Sequence, residues 1–245
     1  MLMNKIHQKF TRYHYKYIAR SVKKLNFSQQ QLKKEGFYSQ FGQDKWVIEQ
    51  LLPGMRRGVF VDIGANDGIT FSNTYLLEKK GWTGLAIEPI PVIYERLVKN
   101  RTCITVNGCI AETSGKRLFR LVEGEGELNM LSGLVDEYDT RHLDRIKREI
   151  ASEGGDYKDI EVNCYNFNEL LDNQGISHID YLNIDVEGGE YKILNGIDFD
   201  RVKISVIGVE NNYKNPNIPK LLMKKGFVFH SIIGDDDFYL NRLTV

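Results

Sequence analysis

An apolar run that breaks into a glycine turn is the segment of this chain best suited to hold a small ligand. Residues 59–68 read VFVDIGANDG, so Asp62 stands near the end of the run and Gly64 and Gly68 follow it. Glycine lets a backbone turn sharply and approach a ligand closely. The pyrophosphate-binding pattern G-x-G-x-x-G is broken, because Asn66 occupies the position of its second glycine. The turn therefore predicts a nucleoside-like cofactor without a pyrophosphate.

A second acidic residue ends the next apolar run. Residues 83–88 read TGLAIE. Glu88 follows the glycine turn by about 20 residues, the distance at which nucleotide-binding folds place the acid that contacts ribose. A carboxylate can accept hydrogen bonds from both vicinal hydroxyls of a ribose. The alternative is that Glu88 only ends its strand in solvent. Taken together with the glycine turn, the pattern predicts that Glu88 binds ribose.

Three side chains near other predicted strand ends could move a proton: Asp185, Glu210 and His230. A hydroxyl group is a poor nucleophile until a base or a metal takes its proton. Asp185 is the first candidate for that base. Histidine titrates near neutrality, which makes His230 an attractive alternative. The apolar setting of His230 (FVFHSII) fits a histidine of the core as well.

A bound cation would be another way to activate a hydroxyl. Glu187, Glu190 and Glu210 could join Asp185 in holding Mg²⁺ or Mn²⁺, because hard cations favour carboxylate oxygens. Acids in a first helical turn also favour the helix dipole, and we favour such capping for Glu190. The role of Glu187 and the presence of a metal stay open. His142, in a polar segment, is predicted to be solvated.

These side chains need a frame that brings strand ends together. Strands are predicted at 58–63, 83–88, 104–106, 179–184, 205–210, 227–233 and 238–243. Helices are predicted at 38–52, 73–80, from 91 onward and at 218–225. This alternation predicts an α/β fold: a mostly parallel seven-stranded sheet with helices on both faces and a C-terminal antiparallel hairpin. Ligands of such sheets bind beyond the carboxyl ends of the strands.

The alternation is interrupted between residues 123 and 159. This stretch is rich in glycine and charge and contains one polar helix, predicted at 137–150; an exposed strand at 116–122 precedes it. Long excursions within α/β domains are usually functional or mobile. We therefore predict a substrate lid, after which a strand at 160–165 resumes the alternation.

Length and composition limit the number of domains and indicate the cellular compartment. The chain has 245 residues, enough for one large α/β domain. Its three cysteines form no C-x-x-C pair, which argues for a reducing compartment and against a disulfide framework or structural zinc. The sequence shows neither a run of 18 apolar residues nor a signal peptide. A cytoplasmic protein is the expectation.

Charge divides the chain into a basic arm, residues 1–35, and an acidic domain, residues 36–245. The arm carries nine basic side chains and one acid, a net charge of +8, and the remainder carries −8. Apolar residues recur in it at helical spacing, which predicts an amphipathic helix: Ile6, Phe10, Tyr13, Tyr17, Ile18, Val22 and Leu25. Such a helix could lie on the inner face of an anionic membrane, join a twin subunit in a homodimer, or pack on its own domain. The acidic body argues against nucleic acid.

The motifs together resemble the FkbM family of methyltransferases over roughly residues 38–243. They are YSQFGQD at 38–44, VFVDIGANDG, SNT at 72–74, GWTGLAIEP at 81–89 and YLNIDVEGGEYKIL at 181–194. One departure is Asn183, where similar sequences usually have lysine.

This resemblance implies a class I methyltransferase fold that binds S-adenosyl-L-methionine (SAM). It implies that the cofactor is held by Gln40, Gln43, Asp44, Asp62, Gly64, Ala65, Asn66, Gly68, Asn73, Glu88, Pro89, Cys109, Ile110 and Asp185. It also implies O-methylation of a hydroxyl of a saccharide, glycan or natural product, as in polysaccharide biosynthesis.

Two other functions are compatible with the alternating pattern. A nucleotide-sugar or NAD oxidoreductase would need a glycine fingerprint and a Tyr-x-x-x-Lys base, and the sequence shows neither. A non-catalytic SAM-fold module that docks through the basic arm would have no use for the acids at the strand ends.

Overall fold

The computed structural model describes residues 13–126 and 128–243. Its strands are β1 (Lys23–Leu25), β2 (Val59–Ile63), β3 (Thr83–Glu88), β4 (Ile104–Asn107), β5 (Cys109–Ala111), β6 (Gly115–Glu123), β7 (Gly133–Leu134), β8 (Asp156–Asn166), β9 (His178–Ile184), β10 (Lys203–Glu210), β11 (Phe227–Ile233) and β12 (Asp236–Asn241). Its helices are α1 (Gln29–Glu35), α2 (Gln43–Trp46), α3 (Tyr75–Lys79), α4 (Pro91–Asn100), α5 (Thr140–Glu153), α6 (Phe167–Asn173), α7 (Glu190–Gly196) and α8 (Asn217–Lys224).

The main sheet has the strand order β1-β11-β12-β10-β9-β2-β3-β4. Every neighbouring pair is parallel except the two that involve β12, which is antiparallel to both β10 and β11. The predicted α/β fold, with a mostly parallel sheet and a terminal hairpin, is therefore confirmed. The predicted seven strands gain an eighth at the edge, β1. That strand is short and carries two lysines, as edge strands often do, so its sequence did not indicate a strand.

Helices cover both faces of the main sheet, as predicted. Within β2, Val61 and Ile63 join one apolar cluster and Phe60 joins another, because successive side chains of a strand point to opposite faces. The first cluster includes side chains of α6, α7 and α8, and the second includes those of α2 and α3. Strands covered on both faces are continuous apolar runs, which is why they were evident in the sequence.

A second, four-stranded sheet of order β5-β8-β6-β7 corrects one expectation. The strand expected at 160–165 does not resume the main sheet: it belongs to β8, which pairs antiparallel with β6 from Asp156 to Cys164. The excursion at 123–159 connects the two strands of this long hairpin, and its role as a substrate lid stays a prediction. Its tip carries a 3₁₀ turn (Leu128–Leu131), β7 and α5. Alternation of apolar residues occurs in both sheets, so the pattern alone could not assign β8 to one of them.

Part of the basic arm packs on the domain. Residues 13–18 are helical, and Tyr15 and Ala19 are buried in the core cluster that contains β9 and β10. Tyr13 and Tyr17 face solvent instead, with 73% and 59% of their surface exposed. Ile6 and Phe10, which were expected on the apolar face, lie outside the described residues. The boundary at residue 35 and the role of the arm stay predictions.

None of the helices in residues 13–126 and 128–243 combines the length and the apolar character that crossing a bilayer requires.

Candidate functional site

A cavity of about 760 Å³ opens at the carboxyl edge of the main sheet. From one side to the other, this edge presents the ends of β10, β9, β2 and β3, and the first residue of the antiparallel β12. The excursion forms the opposite wall. The predicted site residues that line the cavity are Gln40, Gln43, Asp62, Gly64, Ala65, Asn66, Asn73, Glu88, Pro89, Cys109, Ile110, Asp185 and Glu210.

The glycine turn after β2 brings the backbone close to the neighbouring strand. Gly64 has a φ of +88°, and a Cβ at this position would lie 1.8 Å from the carbonyl oxygen of Asp185. The amides of Gly64 and Ala65 both donate to the carbonyl of Ile87. No other residue type fits position 64 without displacing backbone, and the turn leaves Asn66 at the cavity with a φ of +50°.

Glu88 lies at the end of β3, where its carboxylate is held by two backbone amides. Its Oε2 accepts from the amide of Asn66 at 3.0 Å and its Oε1 from that of Ile90 at 2.8 Å. Burial raises the pKa of Glu88 to about 7, and these two hydrogen bonds oppose the rise. Each oxygen keeps a further lone pair that could accept from a hydroxyl in the cavity. The geometry fits a ribose.

A buried polar network supports the floor of the cavity. Asp62 accepts from the hydroxyl of Thr74 at 2.5 Å and from the side-chain amide of Asn183 at 2.9 Å. The carbonyl oxygen of Asn183 in turn accepts from Asn73 at 3.0 Å. Asn183, where the family resemblance led us to expect lysine, thus acts as both donor and acceptor between two floor residues.

One oxygen of this network has no partner within the described part of the chain. It is the Oδ1 atom of Asn73, which is fully shielded from solvent and belongs to a residue that lines the cavity. Buried carbonyl oxygens are normally hydrogen-bonded. A ligand that brings an N–H or O–H donor, such as the amino group of SAM, would satisfy it. The glycine turn, Glu88 and Asn73 therefore fit the expected cofactor.

Three acids stand side by side on the other half of the same edge. Asp185 directly follows β9, Glu210 ends the neighbouring β10, and Asp236 is the register partner of Glu210 on β12. Asp236 accepts from the side chain of Gln43 at 2.9 Å. Below, these three residues are called the acid row. Their positions follow from the strand order, because β9, β10 and β12 are neighbours and these residues lie at the same edge of the sheet.

The ionised forms of the three acids in the acid row are disfavoured, so their pKa values are raised. Burial raises the pKa of Asp236 to about 7. Burial first, and then the charge of Asp236, raise the pKa of Asp185 well above its usual range. The pKa of Glu210 is likewise well above its usual range, through burial and then the charge of Asp185. An acid with a raised pKa is a stronger base once ionised, which suits proton abstraction.

Glu187 connects the loop after β9 to α5 of the excursion. It has a φ of +59°, an uncommon conformation for a residue other than glycine. Its Oε1 lies 3.5 Å from Nη1 of Arg145, and its Oε2 lies 3.2 Å from Nδ1 of His142. The Oε2 atom is fully shielded and has no well-aligned hydrogen bond within the described residues.

His142 corrects an expectation, because it is fully buried rather than solvated. Its Nε2 donates to the carbonyl of Leu131 at 2.9 Å, and its Nδ1 lies 3.1 Å from the hydroxyl of Tyr213. Burial acts to lower the pKa of His142, but its interaction with Glu187 outweighs this and raises the pKa above its usual value. The polar neighbours of His142 in sequence concealed the buried position.

Three predicted site residues do not line the cavity. Asp44 is fully buried and accepts from the amide of Tyr38 and the hydroxyl of Ser39. Gly68 packs against Arg101 and Leu97, where a side chain would not fit. His230 lies within β11, 6.1 Å from the ring of Trp46, and both burial and Lys23 lower its pKa. The structure therefore brings Asp185 and Glu210 to the cavity and leaves His230 away from it.

The acids around the β9 end do not form a metal site in the described residues, where no group of three or more His, Cys, Asp or Glu side chains converges on one point. Glu190 is the first residue of α7, and its Oε1 accepts from the amide of Gly188 at 2.8 Å. This is the helix-capping contact that its position predicted.

None of the residues that the excursion contributes to the cavity wall was named in the sequence analysis. Arg145, Glu149 and Glu153 line the cavity from one face of α5, together with Asn129 and Met130 from the preceding turn. The spacing of the first three, four residues apart, could have shown that they share a helix face. No local signal showed that this face points toward the sheet edge.

Comparison with known protein families gives a match over most of this region. The family model described as the methyltransferase FkbM domain matches residues 62–229. The match begins at the end of β2 and includes the glycine turn, Glu88, the excursion and the first two members of the acid row.

Similar proteins include two curated methyltransferases and a solved structure. The 31-O-demethyl-FK506 methyltransferase FkbM of Streptomyces tacrolimicus is 28% identical over 183 residues, 66% of this chain and 68% of its own. The methyltransferase sdnD of Sordaria araneosa is 29% identical over 195 residues, 68% of this chain and 72% of its own. A TehB-like SAM-dependent methyltransferase from Corynebacterium glutamicum aligns with a TM-score of 0.39 and 11% identity, over 86% of this chain and 90% of that one.

Proposed function

Because the chain belongs to the FkbM family of SAM-dependent methyltransferases, we propose that it transfers the methyl group to an oxygen, the hydroxyl of a saccharide, glycan or natural-product acceptor. The arrangement of the sheet edge carries this proposal. The ends of β2 and β3 offer a nucleoside site, and the acid row lies directly beside it on β9, β10 and β12. One relative's name, 31-O-demethyl-FK506 methyltransferase, also refers to an oxygen-linked methyl group.

SAM, when bound, supplies an electrophilic methyl group. The acceptor hydroxyl oxygen bonds to the methyl carbon as the carbon–sulfur bond breaks, and the hydroxyl proton passes to an adjacent base. Asp185 is that base in our proposal, because its peptide packs directly against the Gly64 turn and the residue lines the cavity. Holding the two reactants in line can contribute about 7–11 kcal/mol to lowering the barrier.

Asp236 supports this role electrostatically. It stands on β12 as the register partner of Glu210, and after burial its charge is what most disfavours the ionised form of Asp185, which raises the basicity of that group. Gln40, Gln43, Asn73 and Glu88 would hold the cofactor, and the wall from α5 would exclude water from the reacting groups.

The test is turnover by Asp185→Asn with a panel of hydroxyl acceptors, read by the mass shift of one methyl group. We expect an intact fold, unchanged SAM binding and a rate lowered by ~10²–10⁴. His230→Gln is the matched control, since His230 is a histidine outside the cavity, and it should retain turnover.

Three results would contradict the proposal. A mild effect of Asp185→Asn with a severe effect of His230→Gln would reverse the assignment of the base. Binding of SAM without methylation of any acceptor would favour a non-catalytic module. Loss of activity in EDTA with recovery in Mg²⁺ or Mn²⁺ would instead make Asp185 a metal ligand.

A further inference from the structure

The walls of the cavity are strongly biased in charge. Among the described residues that line it, ten are aspartate or glutamate and one, Arg145, is basic. Arg145 is already engaged, because its Nε lies 2.7 Å from Glu149 and its Nη1 3.5 Å from Glu187. No described cation in the cavity is therefore available to a phosphate or carboxylate of a substrate.

The bias is greatest in the half of the cavity that the cofactor would not fill. Asp62 and Glu88 belong to the half formed by β2 and β3, and both are held by protein donors. The acid row belongs to the other half, on β9, β10 and β12. Within the described residues, the carboxylates of Asp185 and Glu210 have no side-chain donor, and Gln43 is the donor to Asp236.

Glu187 adds an independent observation. About 10% of its side chain is exposed, and it lines the cavity. Its Oε1 lies 3.5 Å from Arg145 and its Oε2 lies 3.2 Å from His142, but the Oε2 atom has no well-aligned hydrogen bond within the described part of the chain. Carboxylates crowded in a partly buried site repel one another, and a cation placed among them relieves this repulsion. A phosphate in the same place would add to the repulsion.

We infer that the acceptor carries an ammonium group close to the hydroxyl that is methylated, and that phosphorylated or carboxylated acceptors are excluded. This inference rests on the proposed function and narrows the class of acceptor to an amino alcohol or amino sugar. The ammonium would lie beside Asp185, and the acids Glu210, Asp236 and Glu187 would stabilise its charge from the surrounding wall. It would also keep Asp185 ionised, which a base requires before it can take a proton.

The test compares three probes that share a three-carbon skeleton: 2-amino-1,3-propanediol, glycerol and glycerol phosphate. Each is titrated, up to its solubility, into the protein saturated with S-adenosylhomocysteine, so that no methyl transfer occurs. Backbone amide shifts of Gly189 and Asn212, two residues of the cavity wall, report binding at the site. We expect the amine to bind about tenfold or more tightly than glycerol, and the phosphate to cause no shift at these residues.

Two variants show whether the acid row sets this order. Asp236→Asn should reduce the preference for the amine, whereas Glu161→Gln should not, because Glu161 is exposed on the second sheet and faces Lys116. Equal or tighter binding of glycerol phosphate, no advantage or no binding of the amine, or equal effects of the two variants would overturn the inference. Binding of S-adenosylhomocysteine is measured first, and its failure would refute the proposed function instead.

Discussion

At the scale of single residues, Glu88 should make the affinity for the cofactor depend on pH. Its carboxylate is buried at the end of β3, and its pKa is raised to about 7. The ionised form offers two oxygens to ribose hydroxyls, whereas the protonated form loses part of that capacity. SAM should therefore bind more weakly as the pH falls through about 7, where Glu88 gains its proton.

We expect Glu88→Gln to weaken SAM binding by about 1.5–3 kcal/mol at neutral pH and to flatten its dependence on pH. Titration calorimetry at several pH values measures both effects. Glu95→Gln, on the exposed face of α4, is the control and should behave as the wild type. Unchanged affinity in Glu88→Gln would remove this residue from the cofactor site.

Residues whose role depends on local sequence were predictable, and those whose role depends on packing were not. The turn at Gly64 and the acid at Glu88 follow from strand ends that are evident in the sequence, and both line the cavity. Gly68 belongs to the same motif, but its backbone packs against Arg101. His142 is buried only because the excursion folds back on Leu131 and Tyr213, which no local pattern reveals.

At the scale of elements, α5 is fastened to the loop after β9 by charge. His142 and Arg145 of α5 both face Glu187. Glu137, just before α5, also lies 2.9 Å from Arg117 of β6 and 3.5 Å from Lys192 of α7. The excursion is thus a wall held at defined points, and protonation of His142 strengthens one of them.

The contact between His142 of α5 and Glu187 should weaken as the pH rises. The folded-state pKa of His142 lies above its usual value of 6.5, so its contribution is fully present below 6.5 and is lost as the pH rises through the folded-state pKa. We expect amides of α5 to lose protection against hydrogen exchange as the pH rises above 6.5 and through the folded-state pKa of His142, after correction for intrinsic rates.

His142→Phe should abolish this pH dependence, and His178→Phe, at the partly exposed start of β9, serves as the control. A pH dependence of α5 that persists without His142 would show that another group fastens the helix.

Elements of the main sheet were predictable because strands covered on both faces are continuous apolar runs. The second sheet was not, since β6 and β8 alternate in the manner of any half-exposed strand. Strand β1 escaped prediction because three residues with two lysines resemble a surface segment. Its pairing with β11 depends on contacts distant in sequence.

At the scale of the whole molecule, the arm presents a basic and aromatic surface while its other side is buried. Tyr15 and Ala19 pack into the core, and Tyr15 donates to Asp237 beside the acid row. Tyr13, Lys16, Tyr17 and Arg20 are exposed, and the guanidinium of Arg20 lies 4.7 Å from the Tyr17 ring centre. We propose that this face attaches the protein to an anionic membrane or to a second subunit.

Charge reversal tests this without removing the buried side chains. We expect Lys16→Glu with Arg20→Glu to abolish co-sedimentation with anionic vesicles or the dimer mass in light scattering, with SAM binding kept. Near such a membrane, each basic residue contributes about 1 kcal/mol. Lys33→Glu with Lys34→Glu changes the total charge equally on α1 and should have the smaller effect. Equal losses in both variants would show that the total charge matters and this particular face does not. A wild-type protein that neither co-sediments with anionic vesicles nor dimerises would contradict the proposal.

The pairing of β6 with β8 has a consequence for how such enzymes could diversify. The hairpin leaves and rejoins the domain at one place, because Gly115 is the register partner of Cys164. Everything between these points could be lengthened, shortened or replaced while the strands that hold the nucleoside keep their positions. The excursion is in this sense an exchangeable cassette: grafting it from one relative into another should transfer acceptor preference and leave cofactor affinity behind.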